Sequence, residues 1–413
     1  MPQLVERIWP ADPSAAGGRS ARQAFSYYAY LPDPIAGMEL LLPGPLARDV
    51  AAAERELAQL QGQASFLGLE ALSRQLLRAE SVASSRIEGL SLSQRRMAQA
   101  LFDPKAADAT ARAVLGNVKA MEQAIAIGDS ADRITVDHLL GVHAALFEGT
   151  GDQSMAGQLR SSQNWIGGNS HSPRNAEFIP PPEDQVPSLL EDLCDFLARE
   201  DMPGLIQAAI AHAQFETIHP FADGNGRVGR ALIHVVLRRR QLVPSVVPPV
   251  SMILATNAAR YIDGLTRFRS GHLLDWCAMF MATMQTAIAR SEELAAQLGD
   301  LQERWRSAAG HPRRDSTAEK LIRAFPGRPI LDGKIAASLA GVSDEAARTA
   351  LLALEEAGVL RPVVLGKKRN RAWEAPEVIE LLDTFEWHLA TPTRSEQPRR
   401  PSPRPRRSKG TLR

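Results

Sequence analysis

The residues best suited to chemistry lie in one window: His219, Pro220, Phe221, Ala222, Asp223, Gly224, Asn225, Gly226, Arg227, Val228, Gly229 and Arg230. It supplies a titratable base, a carboxylate able to hold a metal, a glycine-rich anion cradle and two guanidiniums. Gly224, Asn225 and Gly226 tolerate positive φ, so the turn can aim successive backbone N–H groups into one anion-binding concavity. Val228, Ala231, Leu232, Val235 and Val236 follow at helical spacing, which predicts a buried helix from about Asn225. A glycine turn opening a helix sets phosphate at the positive end of the dipole. Arg227 and Arg230 are three apart and share a face. By helical angle that face lies away from the apolar stripe, so both can grip phosphate oxygens in bidentate fashion. Asp223, just before the cradle, can hold Mg²⁺ against the same phosphates. His219, with an unperturbed pKa of about 6.5, suits a general base at neutral pH. Phe221 is expected to be a packing anchor. The alternative is a capped helix with incidental arginines, and the joint string argues against it.

The window resembles the motif of the Fic family, His-Pro-Phe-x-Asp/Glu-Gly-Asn-Gly/Lys-Arg-x-x-Arg, at every fixed position. The resemblance implies an enzyme that moves AMP from ATP onto a protein hydroxyl. On that reading His219 takes the proton from a Ser, Thr or Tyr hydroxyl, and Asp223 binds Mg²⁺ on the α and β phosphates. The run Gly224, Asn225, Gly226, Arg227, Val228, Gly229 and Arg230 is the implied ATP-phosphate contact. Its backbone cradles the phosphates, Arg227 and Arg230 hold the β and γ groups, and Arg230 orients the γ. The chemistry is in-line displacement at the α-phosphorus with pyrophosphate leaving, which depends on positioning and charge stabilisation.

A second candidate stands upstream. Leu69, Leu72, Leu76, Ala79, Ala83 and Ile87 form one apolar stripe at helical spacing, with Ser84 and Glu88 flanking it. Gly89 is a natural helix stop. A glutamate in the last turn faces the negative end of the dipole, so a cation should compensate, or water should. Ser84-Ser85-Arg86-Ile87-Glu88-Gly89 also fits the Ser/Thr-x-x-x-Glu-Gly/Asn inhibitory motif of many Fic proteins. The resemblance implies that Glu88 pairs with Arg230 in the space the γ-phosphate needs, so that the enzyme rests inactive. A role for Glu88 in positioning water for AMP removal is a further implication.

Residues 159–182 contain two short apolar runs across a Gly/Asn/Ser/Pro turn, Asn164 to Gly168 and Glu177 to Pro182, which predicts a hairpin. In the family a hairpin here, the flap, covers the active site and aligns the target segment by strand addition. The resemblance makes Ile166, Gly167, Gly168 and Ile179 candidates for nucleotide or target contact, and places a target hydroxyl on the 160–182 flap. Tyr261 and Ile262 align with a family aromatic pair near the adenine, but the second aromatic is missing, and Tyr261 suits a core position equally.

These residues need elements to hold them. The expected fold is mainly α: a Fic-type helical core with a short β-hairpin flap, an N-terminal helical region and a C-terminal winged-helix-like domain. Residues 1–30 read as an irregular extension, 31–130 as the helical region carrying the inhibitory helix, 131–305 as the catalytic core, 313–390 as the winged-helix-like domain and 391–413 as a disordered basic tail. The chain has 413 residues, 44% of them apolar and 23% charged, as in ordinary globular protein. A net charge of +1 gives no global pull toward nucleic acid or anionic membrane. Only Cys194 and Cys277 are present, so a reducing, cytoplasmic location is expected. No signal peptide is apparent, and the longest apolar run, 243–255, is broken by prolines and too short to span a bilayer.

In the C-terminal unit, 317–325, 333–340 and 343–356 read as three helices, and two short strands flank the basic turn Gly366-Lys367-Lys368-Arg369-Asn370. The basic turn supports DNA binding by such a wing. The third helix does not, because Asp344, Glu345, Glu355 and Glu356 outnumber Arg348. Protein interaction or homodimerisation is the alternative use. Three functional readings follow: an autoinhibited adenylyltransferase, a Fic-fold enzyme using another nucleotide or removing AMP, and a DNA-binding regulator with a nucleotide-sensing core. The intact His219 argues against the last, since a sensor needs no base.

Overall fold

The computed structural model describes residues 2–11, 22–67, 70–169, 171–364 and 371–390, with backbone alone for 63–67, 70 and 387–390. Leu69, the basic turn 366–370 and the tail 391–413 lie outside the described residues.

The chain opens with two strands, β1 (Gln3–Trp9) and β2 (Phe25–Leu31), paired antiparallel with Gln3 opposite Leu31 and Trp9 opposite Phe25. This corrects the irregular extension expected over residues 1–30. Pro, Gly and Ser are concentrated between the strands and dominate the composition there. The strands themselves, QLVERIW and FSYYAYL, are rich in aromatic and branched residues that favour a pleated surface.

Five helices follow: α1 (Gly44–Leu67), α2 (Glu70–Ile87), α3 (Gln94–Phe102), α4 (Ala109–Ser130) and α5 (Val136–Phe147). Beyond the irregular 148–185 region come α6 (Val186–Leu197), α7 (Gly204–Ile218), α8 (Asn225–Arg239), α9 (Val250–Thr256), α10 (Ala258–Arg269) and the long α11 (Leu273–Ala308). Side-chain oxygens cap several starts: Ser93 for α3, Asp108 for α4, and Thr135 with His138 in a reciprocal box for α5.

Helix α7 is the axis of the core, with every residue buried. Its polar side chains therefore need internal partners. Gln207 donates to the Phe196 carbonyl at 3.0 Å, Gln214 to the Asp33 carbonyl at 3.0 Å and Thr217 to the Ala213 carbonyl at 2.7 Å. Trp276 on α11 donates its indole N–H to the Ala209 carbonyl at 2.8 Å. Helix α8 packs on α7 and α4. Helix α2 buries Leu72, Leu76, Ala79 and Ala83 in the same core, as its stripe predicts.

Helices α2 and α8 are also joined through polar groups. Glu80 and His234, both fully buried, meet at 2.9 Å, and the Ser251 N–H of α9 donates to Glu80 at 2.7 Å. One turn on along α2 stands Ser84, and one turn back along α8 stands Arg230.

The C-terminal unit comprises α12 (Thr317–Ala324), β3 (Ile330–Asp332), α13 (Gly333–Ala340), α14 (Asp344–Glu356), β4 (Arg361–Val364), β5 (Arg371–Glu374) and α15 (Pro376–Ala390). The strands form one antiparallel sheet in the order β3-β5-β4. The unit lies against α2 and α3. Arg78 donates to the Gly327 carbonyl at 2.6 Å, Arg95 pairs with Glu374 at 3.0 Å, and Arg86 pairs with Glu386 at 2.5 Å. Among the described residues no helix is long and apolar enough to cross a membrane.

Candidate functional site

The site is built where α7 ends and α8 begins. The N–H of His219 closes the last turn on the Phe215 carbonyl at 2.9 Å, and the residue itself sits at φ 50°, ψ 60°. That left-handed geometry is strained for a side chain with a Cβ and needs support from its surroundings. Arg160, itself buried, supplies it. Its Nε donates to the His219 carbonyl at 2.9 Å, its backbone N–H donates to the Pro220 carbonyl at 2.9 Å, and its Nη2 reaches the Pro181 carbonyl. Burial lowers the Arg160 guanidinium to about 10. Asn164 adds a donor to the Phe221 carbonyl at 3.0 Å.

Phe221 is fully buried and stacks on the His143 ring at 3.8 Å, which makes it the expected anchor. His143 Nδ1 accepts from the Gly157 N–H at 2.9 Å, so its Nε2–H donates to the Asp223 carbonyl at 3.0 Å. Burial lowers its pKa and keeps this tautomer neutral. Asn225 turns inward rather than toward a ligand: its Oδ1 accepts from the Phe221 N–H and its Nδ2 donates to the Phe221 carbonyl, both at 2.8 Å. Gly224 has φ 82°, and a Cβ there would lie 2.7 Å from Leu146 Cδ2.

The first turn of α8 offers backbone donors up to Arg227. The Val228 N–H is already taken by the Gly224 carbonyl at 3.0 Å, and its side chain is in the core. Gly229 backs onto Phe215 and Glu216 of α7. Val228 and Gly229 are thus scaffold, which corrects their place in the expected phosphate-contact run.

The two arginines also differ from expectation. Neither is exposed on a polar face. Arg227 is nearly buried, pairing with Asp223 at 3.1 Å, while the Asp223 side chain is 60% exposed. The Arg230 side chain is 1% exposed and reaches across to α2. Its Nε donates to Ser84 Oγ at 2.9 Å, and its Nη2 donates to the Ser84 carbonyl and to Glu88 Oε1, both at 2.8 Å. Burial opposes the charge on Arg230, but Glu88, Tyr261 and Glu216 reverse that and hold its pKa above the ordinary arginine value. A Cβ on Gly226 would lie 2.0 Å from Glu88 Oε1. The glutamate carboxylate therefore rests on the glycine of the cradle itself. Beside it opens a cavity of about 300 Å³ lined by Glu88, Arg112, Phe147, Thr150, Asp223 and Arg227.

Behind the base lies a group the sequence reading missed. Glu216 Oε2 is 4.0 Å from His219 Nδ1. Burial raises its carboxyl to about 7, with Arg230 pulling the other way. Burial and Arg160 lower His219 to about 4.

The flap is smaller than expected over 159–182. One bridge joins Ile166 to Phe178, with the Ile166 N–H donating to the Phe178 carbonyl at 2.8 Å. Gly167 and Gly168 both have φ near 75°, and side chains there would strike Glu177 and the Asn175 carbonyl. Their glycine identity is explained by the turn. The exit of this segment is already paired, since the Tyr30 N–H of β2 donates to the Ile179 carbonyl at 2.9 Å.

Tyr261 is a core residue. It is 5% exposed and its hydroxyl meets His212 Nε2 at 2.9 Å, while His212 Nδ1 bonds the Gly229 carbonyl. Ile262 is 54% exposed. The structure therefore gathers Ser84, Glu88, His219, Asp223, Gly224, Asn225, Gly226, Arg227 and Arg230 at one place and buries Tyr261 in the core behind Arg230.

For a divalent cation the donor set is sparse. Among the described residues no group of three or more His, Cys, Asp or Glu is arranged for a metal. Asp223 alone, half-turned to solvent at the cradle, fits Mg²⁺ of the kind held by one carboxylate and substrate phosphates.

Comparison with known proteins bears on this geometry. A family model described as the Fic/DOC family matches residues 133–237, and one described as the Fic/DOC family N-terminal region matches 47–126. Protein adenylyltransferase fic-1 of Caenorhabditis elegans is 32% identical over 133 residues, 32% of this chain and 23% of that protein. Protein adenylyltransferase Fic of Drosophila willistoni is 31% identical over 118 residues, 28% of this chain and 22% of its own length. The chain thus spans less than a quarter of either relative. The crystal structure of a Fic family protein from Desulfovibrio desulfuricans shares the fold, at TM-score 0.51 and 23% identity, over 81% of this chain and 97% of that one.

Proposed function

Because the chain belongs to the Fic/DOC family, we propose that it is a protein adenylyltransferase held inactive by its own Glu88. The carrying observation is the 2.8 Å contact between Glu88 and Arg230, made with the glutamate seated on Gly226. A phosphate at the start of α8 would need that space and that guanidinium.

The mechanism follows from the residues in place. The N–H groups that open α8 and Arg227 grip the phosphate chain. Arg230 turns to the γ-phosphate once Glu88 leaves. His219 Nε2 takes the proton of a target Ser, Thr or Tyr hydroxyl. The hydroxyl oxygen bonds the α-phosphorus as the bond to the β-phosphate bridging oxygen breaks, and pyrophosphate departs. His219 stays neutral down to about pH 4, so the base is ready across the neutral range. Mg²⁺ on Asp223 would neutralise phosphate charge. The target hydroxyl would approach past the 160–182 segment.

Mass spectrometry of the Glu88→Gly protein after incubation with ATP, CTP, GTP or UTP and Mg²⁺ tests this. An AMP adduct that disappears in Glu88→Gly/His219→Ala is the expected result. An adduct from another nucleotide would move the reading to a different transferred group, and no adduct from any of them would refute it.

A further inference from the structure

Glu216 is the one α7 side chain whose burial the fold leaves unexplained. It stands in the last turn of α7, three residues before His219. The other buried polar side chains of that helix have hydrogen-bond partners. Glu216 Oε1 is buried with none, and so is His219 Nδ1. The two groups face each other, with Glu216 Oε2 at 4.0 Å from His219 Nδ1. The neighbouring helix makes room for the carboxylate: a Cβ on Gly229 would lie 2.6 Å from Glu216 Oε1 and 3.0 Å from Phe215 Cδ1. A buried, half-satisfied carboxylate costs stability unless it serves something.

We propose that Glu216 positions the base: its carboxylate holds His219 with the proton on Nδ1 and the Nε2 lone pair toward the target hydroxyl, and offsets the charge when Nε2 takes the proton. The catalytic part rests on the adenylyltransferase reading. A ring with its Nδ1 on the buried side can accept at Nε2 only as the Nδ1–H tautomer, and the backbone of Glu216 favours the protonated ring. Taking the hydroxyl proton leaves an imidazolium. Arg160 from the loop after α5 and Arg269 from α10 oppose that charge, and Glu88 from the end of α2 favours it. Glu88 must withdraw for phosphate to enter. Glu216 remains, itself faced by Arg230 from α8, Arg269 from α10 and Glu88 from α2. Its role parallels a carboxylate that orients a catalytic imidazole.

The test uses the full chain in the Glu88→Gly background. Glu216→Gln keeps the shape and an acceptor but removes the charge. We expect kcat to fall roughly 10- to 100-fold with KM for ATP within about twofold. The thermal midpoint at pH 8 should rise, because a buried ionised carboxylate has been removed. A merely structural glutamate would lower midpoint and activity together. Independently of activity, ¹⁵N-histidine NMR, assigned with His219→Ala, reads the tautomer. The Nδ1–H form should dominate in the parent and lose population in Glu216→Leu. A kcat within about threefold of the parent in Glu216→Gln, or an unchanged tautomer in Glu216→Leu, overturns the proposal. An inactive Glu88→Gly parent refutes the adenylyltransferase reading instead, and the tautomer then decides the positioning alone.

Discussion

Arg230 makes its contacts to α2 through two residues, and they divide the work. Glu88 supplies charge at 2.8 Å, while Ser84 supplies its hydroxyl to Nε and its carbonyl to Nη2. A hydrogen bond to a charged group is worth about 1.5–3 kcal/mol. Ser84→Ala removes one of three such bonds, so basal AMP transfer should rise a few-fold, by less than in Glu88→Gly. A radiolabel assay from α-labelled ATP measures it, and unchanged transfer would show that Ser84 does not share the hold. Arg160 works on the other side, holding a left-handed His219 whose strain costs about 1–3 kcal/mol. In Arg160→Ala the carbonyls of Ser162, Pro181 and His219 lose their guanidinium donors, and kcat in the Glu88→Gly background should drop at least about 10-fold while the protein stays folded by circular dichroism. The reacting residues were readable in the sequence because the motif is continuous and its chemistry is local. Arg160, Asn164 and His143 were not, because they reach the motif from 55 or more positions away. Glu216 was reachable from its i, i+3 spacing to His219, but a glutamate near a helix end reads as solvated.

Elements fix how those residues meet. On α2, residues 80, 84 and 88 recur every turn. They face His234, Arg230 and Gly226 on α8 in reverse order, so the two helices run antiparallel with a polar ladder between them. The Glu80–His234 rung, tied to Ser251, sits in the core and sets the register for the rungs that reach the site. Removing one partner of such a buried pair leaves the other unsatisfied, and Glu80→Ala should cost about 3 kcal/mol or more. Urea unfolding measures this, and a loss below about 1 kcal/mol would deny the rung its structural role. The start of α8 at Asn225 and the stripe of α2 were predictable from period and punctuation. The strands β1 and β2 were hidden by the Pro- and Gly-rich segment between them. The three-residue β3 is too short to carry a period, and it forms because β5 offers it an edge. The flap fell short of a hairpin because its one bridge, Ile166 to Phe178, is closed by a long loop rather than a tight turn.

At the scale of the whole molecule, the buried titratable groups set how stability follows pH. Burial lowers His212 to about 3 and His219 to about 4. As pH falls below about 6.5 the unfolded chain takes protons that the native histidines refuse, so these two terms weaken the fold toward acid. Glu216, raised to about 7, has the opposite sign: the native state holds its proton longer, and stability is lost as pH rises from about 4.5 through 7. Each unit of such a window is worth about 1.4 kcal/mol per group. The opposing terms should give the native chain a stability maximum near neutral pH, and Glu216→Gln should move that maximum upward. Denaturant titrations from pH 5 to 8 check this, and a maximum unmoved by the substitution would deny Glu216 its raised pKa. The C-terminal unit grips the outer side of α2 through Arg78 and Arg86, and α3 through Arg95, so the helix that carries Glu88 lies between that unit and the core. The most direct measurement is the initial rate of AMP incorporation from ATP and Mg²⁺ by the native chain and by Glu88→Gly, side by side. The expected result is a rate at least about 10-fold higher in Glu88→Gly, abolished by His219→Ala. Equal rates in the two proteins would contradict it.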